Sequence, residues 1–157
     1  MKFLALALAT LIPITAVAED FMLYQNQFWE VHYRAPGDLP PWCSAVTKLD
    51  ARNSSTGIMA DGFNTQFMVH DGNINFDGLV GRVHFWIDGR QPWYGRAEGT
   101  GSTLFIDSPV RDFLAEIYQG HVFYVDLEDD GFADYVFPLR GSAAAMRALS
   151  DCISKLR

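Results

Sequence analysis

Cysteine is scarce in this sequence: its 157 residues contain only two, Cys43 and Cys152. Neither belongs to a CxxC pair and neither has paired histidines beside it, so the usual spacing of a structural zinc site is absent. A catalytic cysteine would need a neighbouring base, which the sequence alone does not identify. A disulfide, a buried free thiol, a catalytic thiol and a metal ligand all remain open at this point.

Basic residues are also few. The chain has 12 Lys and Arg against 19 Asp and Glu, a formal net charge of -7. A nucleic-acid-binding protein needs a basic face to displace counterions, so this balance argues against nucleic acid and against an anionic membrane surface. A basic partner, or solubility alone, fits the acidic balance better.

Long apolar runs are missing after the N-terminus. Residues 1–18 carry Lys2, then an apolar run from Phe3 to Ile14, then the small-x-small sequence Ala16-Val17-Ala18. This order predicts a secretory signal peptide cleaved after Ala18, with an anchor helix as the alternative. Cleavage would leave residues 19–157 as one domain without a membrane span, and loss of Lys2 would change the formal charge to -8.

The predicted export favours a disulfide between the two cysteines, because paired thiols oxidise in extracytoplasmic compartments. Two cysteines allow one disulfide, Cys43–Cys152, which would close most of the mature chain. In the chain-entropy account a loop of about 100 residues contributes roughly 4–5 kcal/mol. We therefore expect a periplasmic or secreted protein with one structural disulfide.

Short apolar stretches separated by glycines and Asn/Asp clusters are typical of an antiparallel β protein. Residues 28–34 and 79–89 alternate most clearly; Val83, Phe85 and Ile87 point one way and the residues between them the other. The Asp71-Gly72 turn predicts a hairpin within residues 63–78. The sequence predicts a mainly β fold, a single antiparallel sandwich or barrel-like domain.

Two helices interrupt the strand pattern. Residues 108–120 begin with a capping serine and a proline, end in glycine, and carry apolar residues at i, i+3, i+4 and i+7. This spacing predicts a short amphipathic helix. A second helix is predicted from Ser142, which can cap it, to the C-terminus. Its apolar face would carry Ala145, Leu149 and Cys152, so that Cys152 points into the core.

Motifs for catalysis are missing too. The sequence contains no HExxH, no GxSxG and no phosphate-binding glycine loop. The four histidines, His32, His70, His84 and His121, lie at polar positions of predicted strands or at strand ends, where a structural role is the usual one. His32 and His84 could bind a metal only if the fold brought their strands together. No cofactor is predicted.

One acidic turn resembles the start of an EF-hand loop. Asp126, Glu128, Asp130 and Gly131 occupy its positions one, three, five and six, but position twelve is Phe137, where calcium needs a bidentate glutamate. A solvated hairpin turn is the preferred interpretation, and a weak calcium site is the alternative.

Aromatic residues supply the most suggestive surface. The segment 84–96 places Trp86, Trp93 and Tyr94 near Arg90 and Arg96, and Trp, Tyr and Arg are the usual anchors of protein interfaces. These five residues are the candidate binding patch. Core packing is the competing interpretation, since neighbours on a strand face opposite ways and either Trp93 or Tyr94 must face inward.

The opening Trp29-x-Val31 and the segment PLRGSAAAMRAL, residues 138–149, resemble the invasion-associated locus B family of exported alphaproteobacterial proteins. Chains of that family end with a strand running into a glycine and an Ala/Leu helix. The resemblance implies a periplasmic or secreted β-sandwich that is not known as an enzyme and is sometimes tied to host interaction. It implies no catalytic residues.

Three functions follow from these observations. The first is a small exported, non-catalytic binding protein with a protein partner in the cell envelope or outside the cell. The second is a periplasmic hydrolase or carbohydrate-active enzyme, which would need a cleft with carboxylates beside aromatics, such as Asp88 or Glu98 near Trp86. The third is an immunity-type protein that neutralises a toxin by shape complementarity.

Overall fold

The computed structural model describes residues 19–35, 37, 39–107, 110–127 and 133–156. The predicted signal peptide, residues 1–18, lies outside the described residues. Among the described helices, none has the length and apolar content that crossing a membrane requires.

The described residues form ten strands and two helices. In chain order they are β1 Glu19–Gln25, β2 Trp29–Ala35, β3 Trp42–Thr47, β4 Ser54–Ala60, β5 Thr65–Asp71, β6 Val80–Ile87, β7 Trp93–Thr100, β8 Thr103–Asp107, α1 Val110–Gln119, β9 Val122–Asp126, β10 Tyr135–Pro138 and α2 Ser142–Ser154. The mainly β class with one short and one C-terminal helix is confirmed.

All ten strands belong to one antiparallel sheet, in the order β1-β2-β3-β4-β5-β8-β7-β6-β9-β10. The first five strands form a meander in sequence order. The next three then return towards β5, which makes β8 rather than β6 its neighbour. Strand β9 pairs with β6, and β10 completes the sheet.

The sheet curls so that distant strands meet across a common inner face. Phe67 on β5 and Phe123 on β9 are four places apart in the sheet, yet their ring centroids lie 4.4 Å apart in an edge-to-face arrangement. Phe85 on β6 and Phe113 on α1 complete this phenylalanine cluster. Such contacts add about 0.5–1.5 kcal/mol each beyond area burial, and they give the sheet its sandwich-like form.

Alternation along the strands explains which side chains reach that core. On β6, Val83, Phe85 and Ile87 are buried, while Arg82 is exposed and Trp86 is half-buried. The residues predicted to share the inner face therefore do share it, because successive side chains of a strand point to opposite faces.

One predicted hairpin does not form. Strand β5 ends at Asp71, and residues 72–79 continue as a loop rather than as a second strand. Phe76 is buried in this loop, and its backbone N–H donates to the carbonyl oxygen of Gly101. The Asp-Gly turn is thus followed by a segment anchored through one core side chain. Strands β1 and β4 were not predicted.

Helix α2 packs against β2, β3 and α1, with a smaller contact to β1. Its N-cap is Gly141, whose φ of 80° falls in the left-handed region that favours glycine. Ser142 does not cap the helix, contrary to the sequence prediction. Its hydroxyl instead donates to the carbonyl oxygen of Ile117 at 2.9 Å, which ties the two helices together.

The disulfide Cys43–Cys152 is present and buried, with the two Cα atoms 6.1 Å apart. Cys43 lies on β3 and Cys152 on the inner face of α2, beside buried Leu149. The bridge therefore joins the last helix to the strand beneath it, as the sequence predicted. A disulfide of this kind is compatible with an exported protein.

Candidate functional site

The outer face of β7, β6 and β9 carries four rings, which we call the aromatic block: His84, Trp86, Tyr94 and Tyr124. The register places His84 opposite Tyr94 and Trp86 opposite Tyr124. Because His84 and Trp86 are two residues apart on β6, the two cross-strand pairs share one face and are neighbours along the central strand.

The rings of the aromatic block contact one another in two ways. The Trp86 and Tyr124 rings are nearly parallel, at 7° with centroids 5.3 Å apart. The His84 and Tyr94 rings meet edge to face at 3.9 Å. Tyr94 is half-exposed, and the other three rings are partly covered. The block therefore consists of two ring pairs side by side on one face, and solvent reaches it most at Tyr94.

Two arginines lie along one side of the block. Arg82 and Arg96 are direct partners in the register of β6 and β7. The guanidinium carbon of Arg82 lies 5.2 Å from the centre of the Tyr94 ring, and Arg96 is ion-paired with Glu98. Like charges directly opposite each other destabilise a sheet, and here the Glu98 carboxylate and the Tyr94 ring offset the repulsion between the two arginines.

Trp93 and Arg90, two residues of the predicted patch, face away from the aromatic block. The Trp93 indole N–H donates to Glu116 on α1 at 3.1 Å, and its ring meets Phe113 edge to face. Arg90 lies 3.9 Å from the other oxygen of Glu116 and donates to Gln119. Both residues hold α1 against the sheet.

The structure thus divides the five predicted patch residues between two sides of the sheet. Trp86, Tyr94 and Arg96 lie together on the outer face, and Trp93 and Arg90 contact α1. That they bind a partner stays a prediction.

The sequence analysis did not assign Arg82, His84 or Tyr124 to the patch. Alternation along β6 could have added the first two. Tyr124 joins only because β9 pairs with β6 across some forty residues of chain, and no local pattern indicates that pairing.

The carboxylates named for the enzyme hypothesis have identified partners. Asp88 accepts hydrogen bonds from the backbone N–H groups of His121 and Val122, which joins the β6–β7 loop to the start of β9. Glu98 is ion-paired with Arg96. Asp88 thus connects the β6–β7 loop to β9, and Glu98 balances the charge of Arg96 beside the aromatic block.

Of the calcium candidates, Asp126 is buried on β9, and Glu128 and Asp130 lie outside the described residues. Within the described ranges, no three His, Cys, Asp or Glu side chains are placed to hold a metal ion. His32 and His84 are on strands separated by five others, so the fold does not bring them together.

A second feature is a cleft of about 390 Å³ at one end of the sheet, between the loops that follow β3 and β5 and strand β10. At its floor the Tyr135 hydroxyl donates to Asp71 at 3.1 Å. Burial, the hydrogen bond to Asp71 and the Asp71 charge all raise the pKa of Tyr135, so its hydroxyl stays protonated and remains a donor. The other Asp71 oxygen accepts from the Asn73 backbone N–H. Through these two hydrogen bonds Asp71 connects the loop after β5 to strand β10.

We compared the chain with protein-family models, with curated proteins and with solved structures, and found no match.

Proposed function

We propose that this protein is a small exported, non-catalytic binding module, and that the aromatic block with its arginine pair is the surface that contacts the partner. The observation that carries this proposal is the presence of two neighbouring ring pairs, with Tyr94 half-exposed, on the outer face of β7, β6 and β9.

The position of the block supports a binding role, because its rings lie on the face opposite the core. Polar residues at Trp86 and Tyr94 would leave the inner-face phenylalanine cluster intact. Large aromatic side chains kept on a solvent-facing surface mark interaction sites, and Trp, Tyr and Arg dominate the energetics of protein interfaces.

The arginine pair indicates the chemistry of the partner. Arg96 is already paired with Glu98, whereas Arg82 lies over the Tyr94 ring, so Arg82 is the cation that a carboxylate of a partner could pair with. We therefore propose a protein partner with an acidic segment that also carries apolar side chains. The acidic balance of the whole chain favours a basic partner, but the Arg82 guanidinium favours an acidic contact at the block.

Export is supported by the buried disulfide and by the sequence of residues 1–18. The resemblance to the invasion-associated locus B family, carried by residues 138–149, stays a prediction and agrees with the same compartment and with the absence of a catalytic role in that family.

Site-specific photocrosslinking in the producing cell tests the proposal. A photoreactive phenylalanine analogue replaces Tyr94 in one variant and Phe63 in a control variant. Phe63 is 94% exposed in the β4–β5 turn, outside the block, and β8 separates β5 from β7. We expect one dominant adduct from position 94 that is missing from position 63.

Mass spectrometry of that adduct should place the crosslink in an acidic segment of the partner. Adding Trp86→Ala or Arg82→Glu to the position-94 variant should abolish the adduct while the melting temperature changes little. Equal crosslinking from both positions, or a crosslink to a basic segment that survives Arg82→Glu, would contradict the proposed surface.

A further inference from the structure

The two edges of the sheet differ in how they are protected. Among the described strands, β1 and β10 are the edge strands. Strand β10 has four residues and ends on Pro138, and both short length and proline are devices that prevent edge-to-edge pairing. Strand β1 has seven residues and contains neither proline nor lysine.

Strand β1 also exposes an apolar centre. Phe21, Met22 and Leu23 are 50%, 51% and 50% exposed. Phe21 lies on the inner face, with its ring 6.2 Å from that of Tyr33, and Met22 pairs with His32 on the alternate face. A long edge with exposed apolar side chains on both faces is a template for another strand.

A β-bulge shapes this centre. The register with β2 shifts between Met22 and Tyr24, which leaves Leu23 as the extra residue. Bulges commonly turn an edge away from neighbours, but this one adds a third exposed apolar side chain between Met22 and Tyr24. The edge therefore keeps an apolar surface that nothing in the described chain covers.

We propose that β1 pairs antiparallel with β1 of a second copy of this chain, about a two-fold axis at Met22. Because Leu23 is the extra residue of the bulge, this register places Phe21 opposite Tyr24 on the inner face and Asp20 opposite Gln25 on the outer face. The apolar centre then meets itself, and no acidic residue lies opposite another.

Charge favours this arrangement over a parallel one. Parallel pairing in register would bring the two Glu19 and the two Asp20 side chains together, and like charges directly opposite are destabilising. Asp20 is already ion-paired with Arg34 at 2.8 Å, so its charge is balanced within each copy. Antiparallel pairing also matches the rest of the sheet, in which neighbouring strands are antiparallel. An isologous contact of this kind closes at two copies.

This inference is independent of the proposed function. Strand β1 and the central strand β6 of the aromatic block are separated by six strands in the sheet. A dimer formed through β1 leaves the aromatic block accessible on each copy.

Sedimentation velocity of the exported, processed protein over a hundredfold concentration range tests the pairing. We expect a monomer–dimer equilibrium. Met22→Lys places two cations at the two-fold axis and should raise the dimer dissociation constant about tenfold or more. Val136→Lys is the matched control, because Val136 is 50% exposed on the other edge strand. It should leave the dissociation constant unchanged.

A crosslinking variant gives a second readout. Met22→Cys should oxidise to a covalent dimer, since the two copies of position 22 are direct neighbours, whereas Leu49→Cys, on an exposed loop, should not. A wild-type protein that is monomeric at every concentration would overturn the proposal. So would a dimer that resists Met22→Lys, or one that is weakened equally by Val136→Lys.

Discussion

The two helices are attached to the same sheet by different means. Helix α2 is joined to β3 by the buried Cys43–Cys152 disulfide. Helix α1 is held by side chains of the β6–β7 loop and of β7, with Trp93 and Arg90 both directed at Glu116. Helix α1 lies between β8 and β9, so the chain tethers it at both ends. Helix α2 follows β10 and is the last of the described elements.

The two attachments differ in kind. Cys152 lies in the last turn of α2, so the covalent bond holds that end of the helix to β3. Trp93 and Arg90 hold α1 through noncovalent contacts with Glu116. We therefore expect loss of the disulfide to loosen α2, and loss of the Trp93 contacts to loosen α1.

Of the changes that test how the two helices are attached, removal of the disulfide should lower the free energy of unfolding most. We expect Cys43→Ser with Cys152→Ser to lower the free energy of unfolding by about 4–5 kcal/mol, since the bridge closes a loop of 109 residues. Urea unfolding measures the loss, and wild-type protein under reducing conditions is the matched comparison. Hydrogen exchange should accelerate in α2 before α1. A loss below about 1 kcal/mol would show that packing alone holds α2.

Trp93→Ala should have the next largest effect and should act on the other helix. The ring contacts Phe113 and the indole N–H is bonded to Glu116, so truncation opens a gap beneath α1. We expect a loss of about 2–3 kcal/mol, at or below the lower end of the range for buried tryptophan, because Trp93 is only partly buried. Hydrogen exchange should now accelerate in α1 first. Unchanged exchange in α1 would contradict the bracing role.

Glu116→Gln should have a smaller effect, because the amide oxygen can still accept from Trp93 while the charge opposite Arg90 is lost. About 0.5–1 kcal/mol is expected for this partly exposed ion pair. High salt should reduce the wild-type stability towards that of the variant. A stability difference that does not change with salt would mean that the Arg90 charge contributes little.

Trp86→Ala should destabilise the protein much less than Trp93→Ala, by about 1 kcal/mol, because mainly the stack on Tyr124 is lost. Trp86 lies seven residues before Trp93, on the outer face, where it stacks on Tyr124 rather than on a helix. Calorimetry of the two alanine variants gives the direct comparison. If Trp86→Ala were as destabilising as Trp93→Ala, the aromatic block would be part of the framework, and the binding proposal would lose its main support.

Much of the fold could be predicted from local sequence patterns. Alternation of residues 79–89 predicts β6 and its buried face, and spacing at i, i+3, i+4 and i+7 predicts α1. The even cysteine count, together with the predicted export, predicts the disulfide, because the apolar face of α2 carries Cys152 inward. The hairpin within residues 63–78 was wrong, because Phe76 is buried by a loop held to Gly101, and that partner lies on a distant turn.

The candidate site was predictable only in part. Trp86, Tyr94 and Arg96 share a face, as neighbouring strands of one hairpin can indicate. Alternation along the strand requires either Trp93 or Tyr94 to face inward, but it does not say which of the two does so. The structure places Trp93 on the inner side. Tyr124 could not be assigned, because strand order depends on how the whole sheet curls.

Local sequence patterns predict both helices and most of the strands, though not β1 and β4, together with their apolar faces and one possible disulfide. These predictions depend mainly on the periodicity of side chains along the backbone, which is local. The tertiary structure was needed to show that β9 lies beside β6, that the rings of β7, β6 and β9 share one face, and that β1 is an edge among the described strands. Those results depend on contacts between residues distant in the chain, where the energy of closing the core selects one strand order among many.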